Sequence, residues 1–488
     1  MTFNRALLDF GTDHVVMELS DGKEITAGVL ICRLIKDAQR IKLLDIDFFV
    51  VGSAANLENL YRCLLGMVTG IKITFGYQDE LSNDVNSLVT KIINNSVNYF
   101  SGSESISGQD VGSIPRDVEN ALNEDSRSYE IELATSGTSG VPKTIVLKES
   151  DLVYQAREVS KLLGLTRNTK QLFYMPINYV YGLSVITTWL ISGGRIVIPQ
   201  TSLQSPNIFF DEVVQRGITV FSGVPYTYNV IVKWGLHKFE GSALSVLTQA
   251  GGRLRLDIKE KIVSTLKSID FWVMYGQTEF GGRISQYKLD SDSIDEMCVG
   301  VPLPGIQVHI EREETSLQLG EVFLSSPSVC KNIDCFVTPK IIDGYSFYPT
   351  GDIGKFQKGL LYISDRNKNF IKIGGARISS ARIQRYFDKL KGVQDCFLCL
   401  SKGRTEKVLI GLHTSQYQKI NTQWELSETI NKAIGGNTLA VVLDNKPHEI
   451  FLLHGELPLL DNGKQWLWKI HETMKEASSE KKSLHIWL

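Results

Sequence analysis

At 488 residues the chain is longer than one ordinary hydrophobic core organises, so two or more domains are expected. A formal charge of -2 argues against a polyanion-binding surface and against nucleic acid as a bulk partner, while leaving room for a local basic patch. Met1–Leu8 lacks a secretory pattern and no apolar run is long enough to span a bilayer, so the expectation is a cytoplasmic protein with no transmembrane segment. Seven scattered cysteines, an odd number without a framework, fit a reducing compartment. Cys396 and Cys399 have the spacing of a redox or zinc pair, but they sit in an apolar, strand-like run and read as buried small hydrophobes.

Residues 1 to about 100 alternate β-like runs such as Phe48–Val51 with helical ones such as Leu57–Leu65, the texture of an α/β layer. Ser101–Pro115, rich in Ser and Gly, reads as an exposed loop. The alternating run Tyr129–Leu133 then leads into Thr135-Ser136-Gly137-Thr138-Ser139-Gly140-Val141-Pro142-Lys143. Glycines bring backbone N–H groups close to phosphate oxygens, hydroxyls add donors, and Lys143 adds a point charge suited to a leaving pyrophosphate. The spacing is not that of a Walker A loop, which opens directly into a helix. Here Pro142 precedes Lys143 and a β-like run, Thr144–Leu147, follows, so the loop is predicted to join two strands and to hold phosphate without a helix dipole. Taken alone, the segment is also compatible with an ordinary Ser/Thr/Gly-rich turn.

Ser150 is predicted to cap the next helix, with Leu152, Ala156, Val159 and Leu163 on one face. Gly194–Ile198 reads as strand, Phe209–Gly217 as helix, and Val220–Pro225 as strand and loop. From residue 300 the texture shifts to short strands, Gln307–Ile310, Gly320–Leu324 and Gly359–Ile363, which predict a small β-barrel-like subdomain. Beyond Asp365 about 120 residues remain, enough for a small α+β domain.

Four further segments follow in order: Tyr275-Gly276-Gln277-Thr278-Glu279, Tyr348–Asp352, Asp365-Arg366 with Ile371–Ile378, and Pro458–Lys464. With the loop at 135–143, their order and spacing resemble the adenylate-forming (AMP-binding) superfamily of acyl-CoA synthetases, peptide-synthetase adenylation domains and firefly-type luciferases. The resemblance runs over most of the chain. It implies an α/β fold: a large N-terminal AMP-binding domain over 1–365, made of layered α/β subdomains plus the β-barrel-like one, then a small mobile α+β lid over 366–488.

Activating a carboxylate with ATP is an in-line attack on the α-phosphorus with pyrophosphate leaving, so the protein must position groups and neutralise charge. Glu279 is the candidate magnesium ligand, because Mg²⁺ is typically held by one carboxylate plus phosphates and water. Thr278 beside it would donate to the α-phosphate. The resemblance assigns ATP binding to Thr135, Ser136, Gly137, Thr138, Ser139, Gly140, Lys143, Tyr275 and Gly276. It places Gly251 and Gly252 beside adenine, although Arg253 stands where a small residue is usual. Asp352 would accept from the ribose hydroxyls with Arg366 assisting. Lys464 would reach both the attacking carboxylate and the α-phosphate. Around it Leu460 replaces a threonine and Leu467 an arginine, while the Pro-x-x-x-x-Gly-Lys spacing is kept. Lys368 would be the hinge of the lid, and Gly374 and Gly375 would line the thiol tunnel or simply form a hairpin turn.

The acid pocket is expected from Pro176–Ser184, from Phe221–Val224 and from Phe280-Gly281-Gly282, with Tyr179, Val180 and Gly182 in the first of these. Tyr179 matches the family's aromatic or histidine gate. Val180 aligns where amino-acid activators carry an aspartate, so a buried α-ammonium would lose its charge partner. An apolar or aryl acid fits better. The implied activity is formation of acyl-AMP from a small carboxylic acid with ATP and Mg²⁺, then transfer to CoA as an acyl- or aryl-CoA synthetase. The alternatives are loading of a carrier-protein phosphopantetheine, and a nucleotide-binding homologue without catalysis.

Overall fold

The computed structural model describes residues 3, 6, 9–44, 46, 48–75, 84–101, 128–135, 143–290, 294–312, 319–366, 370–373, 376–388, 390, 392–401, 407–414, 426, 448–455, 467–479 and 485–487. Two compact units divide the chain. One comprises Met1–Val308, Leu324–Tyr348 and Gln357–Leu361; the other comprises His309–Phe323, Pro349–Phe356 and Tyr362–Leu488.

The first unit opens with β1 (Val15–Glu18), β2 (Glu24–Thr26), α1 (Ala27–Lys42), β3 (Phe48–Val51), α2 (Leu57–Thr69), β4 (Lys72–Phe75) and α3 (Asp84–Ser101). It continues through β5 (Glu130–Thr135), β6 (Lys143–Lys148), α4 (Glu149–Leu162), β7 (Lys170–Leu172), α5 (Val180–Ser192), β8 (Arg195–Val197) and α6 (Pro206–Gln215). Then come β9 (Val220–Gly223), β10 (Val246–Gln249), α7 (Leu256–Thr265), β11 (Asp270–Tyr275), β12 (Ser285–Lys288) and β13 (Cys298–Pro302). These strands make two sheets. One runs β3-β4-β5-β6; the other includes the path β13-β12-β11-β10-β9-β7-β8-β1-β2.

In the larger sheet β11, β10, β9, β7, β8 and β1 pair in parallel. Parallel strands are covered on both faces by their crossover helices and so read as continuous apolar runs. Accordingly every residue of β9 and β10 is buried. From β7 the chain crosses to β8 on one side and later returns to β9 on the other. That reversal is a topological switch point, and ligands of open α/β sheets bind outside the carboxyl ends of the strands there.

Helix α4 begins at Glu149, two residues before the start that a cap at Ser150 implies. Its first turn is held by Asp151 Oδ2, which accepts the Lys148 N–H at 3.0 Å, so Asp151 and not Ser150 does the capping.

In the second stretch of strands, β14 (Gln307–Arg312), β15 (Gly320–Ser325), β17 (Tyr345–Gln357) and β18 (Leu360–Arg366) lie in that order, and β16 (Lys340–Ile342) pairs with β17. The path is open; these strands do not close into a barrel among the described residues. A hairpin of β19 (Phe370–Ile373) and β20 (Ala376–Ser379) leads to α8 (Ser380–Phe387). Then β21 (Val393–Ser401), β22 (Lys407–Thr414), β23 (His448–His454) and β24 (His485–Trp487) form a sheet, with α9 (Leu467–Ser479) before the last strand.

This last sheet is apolar on both faces. Cys396 and Leu398 pack with α8 through Ile383 and Phe387, whereas Phe397 and Cys399 pack with α9 through Ile470 and Met474. Side chains alternate along a strand, so residues three apart point to opposite faces. Cys396 and Cys399 therefore belong to different cores and cannot form a pair; both are buried free thiols. Burial pushes the Cys399 thiol up to about 11.

Candidate active site

The segment 136–142 connects β5 and β6, which pair antiparallel with Thr135 opposite Lys143. The strand–loop–strand reading of this motif holds, and no helix follows its lysine. Ser136, Gly137, Thr138, Ser139 and Gly140 lie outside the described residues. Of the two flanking positions, Thr135 Oγ1 donates to Lys143 O at 3.4 Å, and Lys143 Nζ lies 5.0 Å from the Phe336 ring centroid. A cation over an aromatic face is steadied without being neutralised. Its charge remains available to an anion.

On its outer edge β6 is strapped by residues 330–332. Lys331 N–H donates to Val146 O at 2.8 Å, Asn332 Oδ1 accepts from Val146 N–H at 3.0 Å, and Asn332 Nδ2 donates to Thr144 O at 2.8 Å. One residue earlier, Cys330 N–H donates to Glu279 O at 2.9 Å. Thus three consecutive residues tie the β5–β6 hairpin to the backbone of the candidate magnesium ligand.

Thr278 and Glu279 lie in a single 3-10 turn, Thr278–Phe280, that follows β11. Two devices hold that turn. The backbone of Gly276 crosses so close to Gly282 that a Cβ at 276 would sit 1.9 Å from Gly282 O, a contact only glycine permits. Gln155, buried on α4, places Nε2 3.1 Å from Phe280 O, 2.9 Å from Arg283 O and 2.7 Å from Ser328 Oγ. A buried N–H donor of this kind fixes the turn because moving it away leaves those acceptors unmet, while Gln155 Oε1 itself accepts no hydrogen bond among the described residues. No group of three or more His, Cys, Asp or Glu side chains gathers into a metal cage among the described residues.

The other predicted segments also leave the carboxyl ends of parallel strands. Val224 follows β9, Gly251 and Gly252 follow β10, and Tyr275-Gly276 closes β11. Arg253 is turned to an ion pair with Glu296. After β7 the chain runs to Tyr179, which sits at the N-cap of α5 and supplies no side-chain cap. The next turn is pressed against the preceding loop: a Cβ at Gly182 would lie 2.0 Å from Pro176 O. Val180 in turn abuts Gly282, where a Cβ would meet Val180 Cγ2 at 2.5 Å. Val180 is thereby brought beside Gly282, joining one residue from each of two segments expected to line the acid pocket.

In the second unit, Asp352 is 1% exposed and pairs with Arg366 Nε at 3.0 Å. Thr350 and Gly351 before it form a kink inside β17. There Gly351 has φ +70°, Thr350 Oγ1 accepts the Asp352 N–H at 3.1 Å, and the same hydroxyl donates to Val322 O at 2.8 Å. Lys368, Gly374, Gly375 and Lys464 lie outside the described residues.

Sequence reading missed three residues that this geometry singles out. Gln155 and Asn332 carry no motif, and their partners lie 125 and 186 positions away. Arg283 stands immediately after the quoted Phe280-Gly281-Gly282. A charged residue closing a glycine-rich, apolar stretch was the available signal.

The fold is shared with solved enzymes of the adenylate-forming kind. Residues 125–333 match the family described as AMP-binding enzyme. It is 24% identical over 372 residues to a D-alanine–D-alanyl carrier protein ligase of Listeria monocytogenes, covering 72% of this chain and 71% of the relative. It is 25% identical over 406 residues to a 2-succinylbenzoate–CoA ligase of Oceanobacillus iheyensis, covering 79% and 83%. Among solved structures, o-succinylbenzoate CoA synthetase from Bacillus subtilis with its acyl-adenylate intermediate superposes with a TM-score of 0.72 at 16% identity, over 96% and 97% of the two chains. No helix among the described residues is long and apolar enough to cross a membrane.

Proposed function

We propose that this chain condenses a small carboxylic acid with ATP to give acyl-AMP and pyrophosphate, then passes the acyl group to a thiol. The observation that carries this reading is the strap at 330–332, which joins the Lys143 hairpin to the turn bearing Thr278 and Glu279. In-line displacement at phosphorus asks for positioning and charge neutralisation more than for covalent chemistry. Lys143 meets the leaving pyrophosphate, Thr278 donates to the α-phosphate, and Asp352 with Arg366 takes the ribose. Glu279 holds magnesium, which, when bound, neutralises phosphate charge. Lys464 stabilises the charge that builds between carboxylate and α-phosphate.

CoA is the first candidate acceptor, which makes the protein an acyl- or aryl-CoA synthetase. Lys368 is then the hinge between domains 1–365 and 366–488, with Gly374 and Gly375 against the thiol arm. The phosphopantetheine of a carrier protein is the alternative, and the two curated relatives divide between these acceptors by name.

The test is acid-dependent pyrophosphate release with ATP and magnesium across fatty, aryl and amino acids, each with and without CoA. Release with a CoA thioester product establishes the synthetase. Release without any thioester turns the acceptor to a carrier protein. No release from protein that binds ATP overturns the reading in favour of a non-catalytic nucleotide binder.

A further inference from the structure

Arg283 carries a positive charge into the interior with no carboxylate to meet it among the described residues. It is 4% exposed. Nη1 donates to Gly282 O at 3.0 Å, Nη2 donates to Ser184 Oγ at 3.1 Å, and the guanidinium lies 4.2 Å from the Tyr181 ring centroid. Nε–H has no partner. Burial lowers its pKa from the ordinary guanidinium value, with Tyr181 acting in the opposite sense. An arginine nevertheless keeps its proton in proteins.

Leaving such a charge dry and unpaired is costly, and neutral acceptors with one aromatic face offset only part of the desolvation. An arginine needed merely to fill space there would be better replaced by an apolar side chain. Its surroundings suggest what else it meets. Tyr181 and Ser184 lie in the first turns of α5, whose N-terminal N–H groups receive no side-chain cap from Tyr179. Gly282, next to Arg283, abuts Val180 of that turn. A guanidinium with an unused Nε–H and the positive end of a helix therefore share the ground assigned to the acid.

We propose that Arg283 receives a second carboxylate on the substrate, so that the acid activated here is a dicarboxylic acid. This rests on the adenylation reading above, and it revises the expectation of a purely apolar or aryl acid. One carboxylate is held by Arg283 near Ser184, and the other is presented to the α-phosphate. A guanidinium in the pocket also repels an α-ammonium, in line with valine at position 180.

Pyrophosphate release is compared for butyrate and succinate, hexanoate and adipate, and benzoate and phthalate, on wild-type, Arg283→Met and Arg283→Lys protein. In wild type at least one diacid exceeds its monoacid partner on the order of 100-fold in kcat/KM, because a truncated acid leaves the buried cation unpaired. In Arg283→Met that ratio falls to about one, and Arg283→Lys retains part of it. Monoacids turned over as well as diacids by wild type would overturn the inference and leave the ligase reading intact. No release with any acid, from protein whose melting temperature still rises with ATP, overturns both. If Arg283→Met does not fold, wild type decides: melting must rise more with ATP plus a diacid than with ATP plus its monoacid, and equal shifts sink the inference.

Discussion

Asn332 Oδ1 accepts the backbone N–H of Val146 at 3.0 Å across 186 positions of sequence, while its Nδ2 donates to Thr144 O at 2.8 Å. The side chain thus supplies the edge of β6 with both a donor and an acceptor. Through Cys330 N–H, which donates to Glu279 O at 2.9 Å, the same segment reaches the turn that carries the proposed magnesium ligand. Asn332→Ala leaves two backbone groups of β6 to water and should cost about 1–2 kcal/mol of stability. It should also raise the KM for ATP in pyrophosphate release, since the hairpin carrying Lys143 loses its tether. An unchanged ATP titration would confine Asn332 to stability.

Glu279→Gln removes the charge of the only carboxylate assigned to magnesium while keeping its shape. The magnesium concentration giving half-maximal pyrophosphate release should rise on the order of tenfold. A magnesium titration that overlays wild type removes Glu279 from the metal site.

Lys464→Ala separates the two half-reactions. Adenylation should fall by about 3 kcal/mol of transition-state stabilisation, roughly a hundredfold or more in rate. Thioester formation from supplied acyl-adenylate should survive. Equal losses in both halves would show that Lys464 acts on something other than the α-phosphate step.

Lys368→Pro stiffens the segment between β18 and β19, because proline fixes φ and removes a donor. Thiol transfer should suffer more than adenylation. Overall turnover at the wild-type rate would count against a hinge at this residue.

Lys259 is 2% exposed, with Nζ 3.3 Å from the carbonyl oxygens of both Asp295 and Glu296. Burial, reinforced by Arg253, pulls its pKa from 10.5 down to about 8. Between these values the unfolded chain binds more protons than the folded one, so this lysine's contribution to stability rises with pH. Below about 8 the charge is held in both states and its desolvation is a standing cost. Lys259→Met should therefore gain on wild type by up to about 3 kcal/mol at neutral pH, less whatever the two carbonyl contacts contribute. The advantage should shrink as pH rises from 8 to 10.5 in paired melting curves. A pH-independent difference would mean the lysine is not titrating there.

Much of the layout was legible without coordinates because it depends on local chemistry. Proline before Lys143 and the β-like run after it excluded a helix, and β5 and β6 do pair across that loop. The apolar runs at Val220 and Phe48 became strands, and the run from Leu57 became a helix through Thr69. Cys396 and Cys399 read as core, and the alternation of β21 explains why they cannot meet. One misreading was also local: helix α4 takes its cap from Asp151 and not from Ser150.

Reading along the chain picks out the ordered set of candidate glycines, hydroxyls, carboxylates and lysines, because each motif is contiguous and carries its reason within a few residues. Which distant side chains hold those motifs in place follows from long-range packing. Gln155 on Phe280, Asn332 on Val146 and Arg283 over Tyr181 are pairings between elements remote in the chain. Their polar atoms acquire meaning only after burial, since a hydrogen bond or charge worth little in water becomes decisive once the alternative is to leave it unmet.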